Sequence, residues 1–94
     1  MGRGPREKPE RLAEKLLQIR LALGLSQSEM LRRLEAEDLI TYHQISGYES
    51  GKREPPLQIL LQYARVAGIC MEVLVDDGLD LPDKLPSKPK HSYR

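Results

Sequence analysis

The sequence predicts an all-α fold of four to five short helices, and three observations support this prediction. Apolar residues recur every three to four positions through the middle of the chain, as they do on one face of a helix. No alternating apolar and polar stretch of the kind found in strands reaches five residues. Glycines and prolines separate the periodic segments at positions that end and begin helices. A chain of 94 residues should hold one domain.

The first two helices are predicted from Pro9 to Leu23 and from Ser26 onward. Pro9 suits a first helical turn, and Gly24 suits the residue that follows a helix. The apolar face of the first helix consists of Leu12, Leu16, Ile19 and Leu23. The second helix starts with the capping box SQSE at 26–29. Its apolar side consists of Met30, Leu31 and Leu34.

Two more start signals follow. A second capping box, Thr41-Tyr42-His43-Gln44, predicts a third helix at about 41–50 that ends near Gly51. Its inward side chains are Ile40, Ile45 and Tyr48. Pro56, at a first-turn position, predicts a fourth helix that Gly68 closes. The apolar face of this helix consists of Leu57, Leu60, Leu61, Ala64 and Ala67. A short fifth helix at 71–75 has Cys70 as its N-cap residue.

Composition at the two ends limits the domain to residues 9–76. We expect residues 1–8 (MGRGPREK) to be a disordered arm, because this segment offers no apolar face to bury. Residues 77–94 contain prolines at 82, 86 and 89 and end in the basic sequence LPSKPKHSYR. We therefore expect residues 77–94 to be a Pro-containing basic tail.

Composition also excludes several classes of protein. No run of about 18 apolar residues predicts a membrane span, and no signal peptide is evident. A single cysteine excludes an internal disulfide and fits a reducing cytoplasm. No nucleophile with a base and no metal-ligand cluster is organised in the sequence, so we expect no enzyme, no metal and no cofactor. The net charge of +1 is uninformative about nucleic acid; only the placement of charge bears on it.

Three segments together resemble one known family. They are GLSQSEM at 24–30, IxxYExGKRxP at 45–55, and the leucine-periodic helix that ends before Gly68-Ile69. Over about residues 12–75 the chain resembles the Cro and phage-repressor type of helix-turn-helix domain, the XRE family. The resemblance implies a lambda-repressor-like fold that binds double-stranded DNA. It also implies that the second helix lies across the DNA backbone and that the third enters the major groove.

The resemblance assigns roles to individual positions. Gln27, at the start of the second helix, corresponds to a phosphate contact, and Gln44 to a backbone or base contact. The base-facing side of the third helix corresponds to Tyr42, His43, Ser46 and Gly47. The loop that follows this helix and meets phosphate corresponds to Ser50, Lys52 and Arg53. Arg20 and Glu49 correspond to positions that form a partly shielded ion pair between the first and third helices.

The segment ESGKREPP at 49–56 combines a helix stop with two cations. Gly51 permits the positive φ that reverses the chain, and the prolines pre-form the start of the next helix. We expect backbone amides of this bend, together with Lys52 and Arg53, to face outward, where a phosphate would bind. A plain turn between helices with solvated cations is the alternative.

Two features depart from the family pattern. Leu31 stands where the family usually has a small residue, typically Ala. The acidic segment EAED at 35–38 stands where the family usually has Gly, and it lengthens the turn by about four residues. Because a larger side chain favours a wider separation of the second and third helices, we hypothesise that the two changes are linked.

The sequence thus predicts a cytoplasmic, sequence-specific transcription regulator, a repressor, that acts as a homodimer on a two-fold DNA site. For the dimer contact we predict the apolar run Val73, Leu74, Val75, Leu79 and Leu81. One alternative is an antitoxin-like interaction module whose tail binds a partner protein, with autoregulatory or no DNA binding. Another is a domain that keeps the fold while its longer turn has abolished DNA binding.

Overall fold

The computed structural model describes residues 9–86, and this part of the chain contains five helices and no strand. The helices are α1 (Leu12–Leu23), α2 (Gln27–Arg33), α3 (Tyr42–Ser50), α4 (Leu57–Ala67) and α5 (Met71–Val75). The all-α fold class is therefore confirmed. The predicted arm at 1–8 and residues 87–94 of the predicted tail lie outside the described residues.

Inward side chains from all five helices form one core. The members with no exposed surface include Leu16, Ile19, Leu23, Met30, Leu34, Ile45, Tyr63 and Leu74. Leu31 is half-buried and packs against this core. Because α1 and α3 are in contact in the core, the opposite side of α3 is left facing solvent.

The predicted inward face of α4 was wrong at two positions. Leu57 is 74% exposed and Leu61 is 37% exposed. Leu60, Ala64 and Ala67 are buried as predicted. The face that packs on the core also includes three residues that the prediction omitted, Ile59, Tyr63 and Val66. The helix also begins at Leu57, with proline at its N-cap position rather than inside the first turn.

The amino end of α1 is capped by a distant part of the chain. The helix begins at Leu12 rather than at Pro9. The carboxylate of Asp77 accepts hydrogen bonds from the amides of Glu10, at 2.9 Å, and Arg11, at 3.0 Å. These two bonds hold the pKa of Asp77 below its usual value. Asp77 therefore supplies the anion that a helix amino terminus favours.

A buried lysine makes the reciprocal contact from α1 to the end of α5. Lys15 has no exposed surface, and its Nζ donates to the carbonyl oxygens of Val73, at 2.8 Å, and Asp76, at 2.9 Å. A cation is favourable at a helix carboxyl terminus, where carbonyl groups lack helical partners. The two caps together hold α5 and the residues after it against α1.

The apolar run predicted for a dimer contact is partly used inside the domain. Leu74 is fully buried, so its assignment to a dimer contact was wrong: α5 directs this side chain into the core. Leu81 is partly buried and packs against the same core. Val75 and Leu79 remain 38% and 37% exposed.

Glutamate takes the place of glycine at the end of α2. Glu35 has a positive φ of 57°. Its amide donates to Arg32 O at 2.9 Å, and the amide of Ala36 donates to Leu31 O at 3.3 Å, which is the bonding of a Schellman cap. Glu35, the first residue of the acidic segment, therefore adopts the conformation for which glycine is the usual residue at a helix end.

Replacing Glu35 with glycine should raise the free energy of unfolding by about 0.5–1 kcal/mol. A left-handed conformation costs a non-glycine residue about 1–2 kcal/mol, which exceeds the extra chain entropy that glycine loses on folding. The shift of the urea midpoint measures this gain. Glu37→Gly is the matched control, because Glu37 is exposed and has no positive φ. A midpoint that falls equally in both variants would contradict the strain at residue 35.

Candidate nucleic-acid interface

One side of α3 is held by the core, and the other is polar and open to solvent. The buried side chains of the helix are Ile45 and Tyr48. The exposed ones are Tyr42, His43, Ser46 and Ser50. The structure therefore brings four of the predicted contact residues together on the outward side of one short helix.

The two rings at the start of α3 are stacked on each other. The ring centroids of Tyr42 and His43 lie 4.2 Å apart, with 28° between the ring planes. Both residues are exposed. Stacking uses the ring faces, so the phenol oxygen and the imidazole nitrogens at the ring edges keep their hydrogen-bonding capacity. Two hydrogen-bonding groups thus lie next to each other at the start of α3.

Gln44 is partly committed to the local structure. Its Oε1 accepts a hydrogen bond from the amide of Thr41 at 3.2 Å. The bond fixes the first turn of α3 and occupies the oxygen of the side-chain amide. Burial raises the pKa of Tyr48, and a hydrogen bond from the Gln44 side chain opposes this rise, so the Nε2 group is also partly committed.

The bend after α3 places two cations beside the helix. Gly51 ends α3 with a φ of 82°, and Lys52 and Arg53 follow it with exposed side chains. The prediction that amides of the bend face outward was wrong. The amides of Lys52 and Arg53 both donate to Gly47 O, at 3.0 and 3.1 Å, because the last carbonyls of a helix need donors. The bend therefore offers its side chains to an anion, not these two amides.

Gly47 lies beneath the side chain of Arg53. A β-carbon at position 47 would lie 3.0 Å from Arg53 Cδ and 3.1 Å from Cγ. Gly47 is half-buried for this reason. Its carbonyl also accepts a bond from Ser50 Oγ at 3.1 Å. The structure thus makes Gly47 the point where the bend rests on α3, rather than an open position on the outward side.

An ion pair joins α1 to α3 behind this surface. Arg20 Nε lies 2.7 Å from Glu49 Oε2, and Arg20 Nη2 donates to Glu49 Oε1 at 3.0 Å. Arg20 Nη1 donates to Leu25 O at 3.0 Å. The side chains are only 15% and 6% exposed, and the bonds to Glu49 raise the pKa of Arg20. A bidentate pair of this kind fixes the direction of α3 relative to α1.

The same carboxylate holds Gln27, the first residue of α2. Gln27 Nε2 donates to Glu49 Oε1 at 3.1 Å. This bond uses one of the two hydrogens on Nε2 and leaves the other available as a donor. The sequence did not predict this bond, because the two residues lie 22 positions apart and no local spacing pattern links them.

Other kinds of site find no support in the described part of the chain. Across residues 9–86, no three His, Cys, Asp or Glu side chains are placed to hold a metal ion. Within the same residues, no helix has the length and apolar character needed to cross a bilayer.

Comparison with known proteins agrees with the geometry of α2, α3 and the bend. A family model described as helix-turn-helix matches residues 16–71, which is more than half of the chain. No curated protein and no solved structure shows significant similarity to it. Domains of the matched family bind DNA and regulate transcription, and they are not typically enzymes. The chain belongs to the Cro/C1-type helix-turn-helix family, the XRE family of DNA-binding regulators.

Proposed function

We propose that the protein is a sequence-specific repressor that reads the major groove with α3 and binds phosphates with the bend at 50–53. The observation that carries this proposal is that the side chain of Arg53 packs directly over Gly47. Gly47 lies one helical turn after His43, on the same side of α3. The cationic bend and the exposed side of α3 thus form one surface, in which base contacts and phosphate contacts lie side by side.

Each exposed side chain has a role that its chemistry allows. His43 donates to O6 or N7 of guanine, or to phosphate when it is protonated. Tyr42 contacts a thymine methyl group or donates to phosphate. Ser46 and Gln44 supply further hydrogen bonds at the groove. The phosphate contacts come from Gln27, Ser50, Lys52 and Arg53.

We also propose that two copies act together on a two-fold site. One copy of this surface is small for strong specificity, whereas a dimer reads half-sites about 34–36 Å apart. Val75 and Leu79 are the exposed remainder of the apolar run after α4, and we assign the contact between copies to them. Light scattering at tens of micromolar should give the mass of a dimer. A monomeric mass at that concentration would defeat this assignment.

The proposed function is tested by the dependence of binding on salt. In Lys52→Ala, affinity should fall for every duplex. Loss of one lysine–phosphate contact should weaken binding by about fivefold at about 0.15 M salt. A plot of log affinity against log salt should become shallower by about one unit for each such contact. Both changes follow because the lysine releases one counterion from the DNA backbone.

Arg65→Ala is the matched control, because it also removes one positive charge. Arg65 is exposed on α4, donates to Gln62 and is outside the proposed surface. This variant should keep the slope of the unchanged protein. An equal loss of affinity in both variants would contradict the assigned surface. Failure of the unchanged protein to bind any duplex at low salt would contradict DNA binding itself and favour the protein-interaction alternative.

A further inference from the structure

We propose that Gly47 is a positioning residue that acts on DNA binding through Arg53: the missing side chain at 47 lets the Arg53 stem lie on α3 and fixes its guanidinium for DNA. This inference rests on the proposed function and goes beyond it. It replaces a direct contact of Gly47 with DNA by an indirect one. It also distinguishes the two cations of the bend. The stem of Arg53 packs over Gly47, whereas no side-chain atom of Lys52 is among the three nearest to a β-carbon at position 47.

The contact extends along the whole aliphatic stem of Arg53. A β-carbon at position 47 would meet Arg53 Cδ at 3.0 Å, Cγ at 3.1 Å and Cβ at 3.4 Å. The first two distances are shorter than ordinary carbon–carbon contacts, so alanine at 47 displaces the stem slightly and a larger residue displaces it further. Glycine is therefore the residue that allows this path for the arginine.

The backbone fixes the root of the same side chain. The amides of Lys52 and Arg53 and the hydroxyl of Ser50 all donate to Gly47 O, at 3.0, 3.1 and 3.1 Å. These bonds involve the carbonyl of Gly47 and do not depend on the absence of its side chain. Substitution by alanine would keep them and change only the seat of the stem.

The stem of Arg53 lies on the side of α3 that we assign to DNA. Gly47 lies one turn after His43 and three residues before Ser50, so the three share one side of α3. An arginine whose stem is already ordered loses less side-chain freedom on binding than a free one. The acceptors that a guanidinium fork recognises there are phosphate oxygens at the rim of the groove or O6 and N7 of guanine.

A double-mutant cycle tests the coupling. Affinities of the unchanged protein, Gly47→Ala, Arg53→Ala and the double variant are measured on a duplex selected by the unchanged protein from a random pool. We expect Arg53→Ala to lower affinity by about fivefold. Gly47→Ala should lower it by a smaller factor, because the added β-carbon displaces the arginine stem without removing its charge. The double variant should be no weaker than Arg53→Ala alone, because position 47 has no effect once the arginine is gone.

Further measurements separate a positioning role from a structural one. The melting temperature of Gly47→Ala should not fall, because alanine is the better helix former. In the free protein, nuclear Overhauser effects should join the δ protons of Arg53 to the α protons of Gly47. The affinity of Arg53→Ala is also measured on a scrambled duplex. An equal loss on both duplexes assigns Arg53 to phosphate, and a loss confined to the selected duplex assigns it to guanine.

Three results would overturn the proposal. The first is an undiminished loss of affinity from Gly47→Ala in the Arg53→Ala background, which would mean that position 47 contacts DNA itself. The second is full affinity in Gly47→Ala. The third is absence of the Overhauser effects, which is informative even if the alanine variant does not fold. The proposed function fails separately, when the unchanged protein binds no duplex.

Discussion

Replacing Arg20 with alanine should lower the free energy of unfolding by about 3–5 kcal/mol. The side chain of its partner Glu49 is only 6% exposed, and removal of the guanidinium takes away both bonds from Arg20 to that carboxylate. The amide of Gln27, at 3.1 Å, would remain as a donor to it, but it carries no charge. A shielded carboxylate without a counter-charge is costly, and the total free energy of unfolding of a small domain is only about 5–15 kcal/mol. Urea denaturation followed by circular dichroism measures the change.

Two further variants show whether the shielding causes this loss of stability. Glu14→Ala removes an exposed ion pair, in which Arg11 Nε lies 3.2 Å from the Glu14 carboxylate, and should change stability by at most about 0.5 kcal/mol. The double variant Arg20→Met, Glu49→Leu removes both charges and should recover most of the stability that Arg20→Ala lacks. A destabilisation in Arg20→Ala as small as that in Glu14→Ala would contradict a shielded pair.

Replacing Lys15 with methionine should lower the free energy of unfolding by about 2–4 kcal/mol. Methionine has a similar length but no donor, so Val73 O loses the bond from Lys15 and Asp76 O keeps only that from the amide of Leu79. Lys15 has no exposed surface, so water cannot easily replace the ammonium group. The destabilisation should be largest at the end of α5, where hydrogen exchange of the backbone amides should become faster.

Lys84→Met is the control for the lysine substitution. Lys84 is exposed, and its replacement should leave the urea midpoint almost unchanged. If Lys15→Met behaved in the same way, the cap of α5 by Lys15 would contribute nothing to stability. Faster exchange throughout the protein, without an excess at α5, would point to a general loss of packing instead.

Local signals in the sequence predicted where helices exist and where they end. The capping boxes at Ser26 and Thr41 and the glycine at 51 act over a few residues, so they can be read without the fold. The start of α1 could not be predicted in this way. Its cap is Asp77, which lies 66 positions from Arg11 along the chain. Only the packing of α5 against α1 brings the two together.

The error on α4 has a similar cause. The helix carries more apolar residues than one face can hold, and periodicity alone does not decide which of them turn inward. In the folded chain, Ile59 and Tyr63 are buried and Leu57 is exposed. Glu35 was also beyond sequence reasoning, because an acidic insertion gives no sign that one of its residues adopts the left-handed conformation.

For the candidate site, the resemblance supplied the positions and the structure supplied their relations. Tyr42, His43 and Ser46 share one exposed side because helical spacing requires it. The placement of Arg53 on Gly47 depends on the path of a side chain after a turn, which no spacing rule gives. The bond from Gln27 to Glu49 likewise depends on how α2 packs beside α3.

Duplex DNA should bind the exposed side of α3 and the bend as one surface, and a nuclear magnetic resonance titration tests this most directly. A duplex selected from a random pool is added to the ¹⁵N-labelled protein, and the shift of each backbone amide is followed. We predict the largest shifts within residues 42–53 and small ones around Leu57 and Arg65 on the outer side of α4. Shifts confined to α4 and α5, with residues 42–53 unchanged at saturation, would contradict this surface.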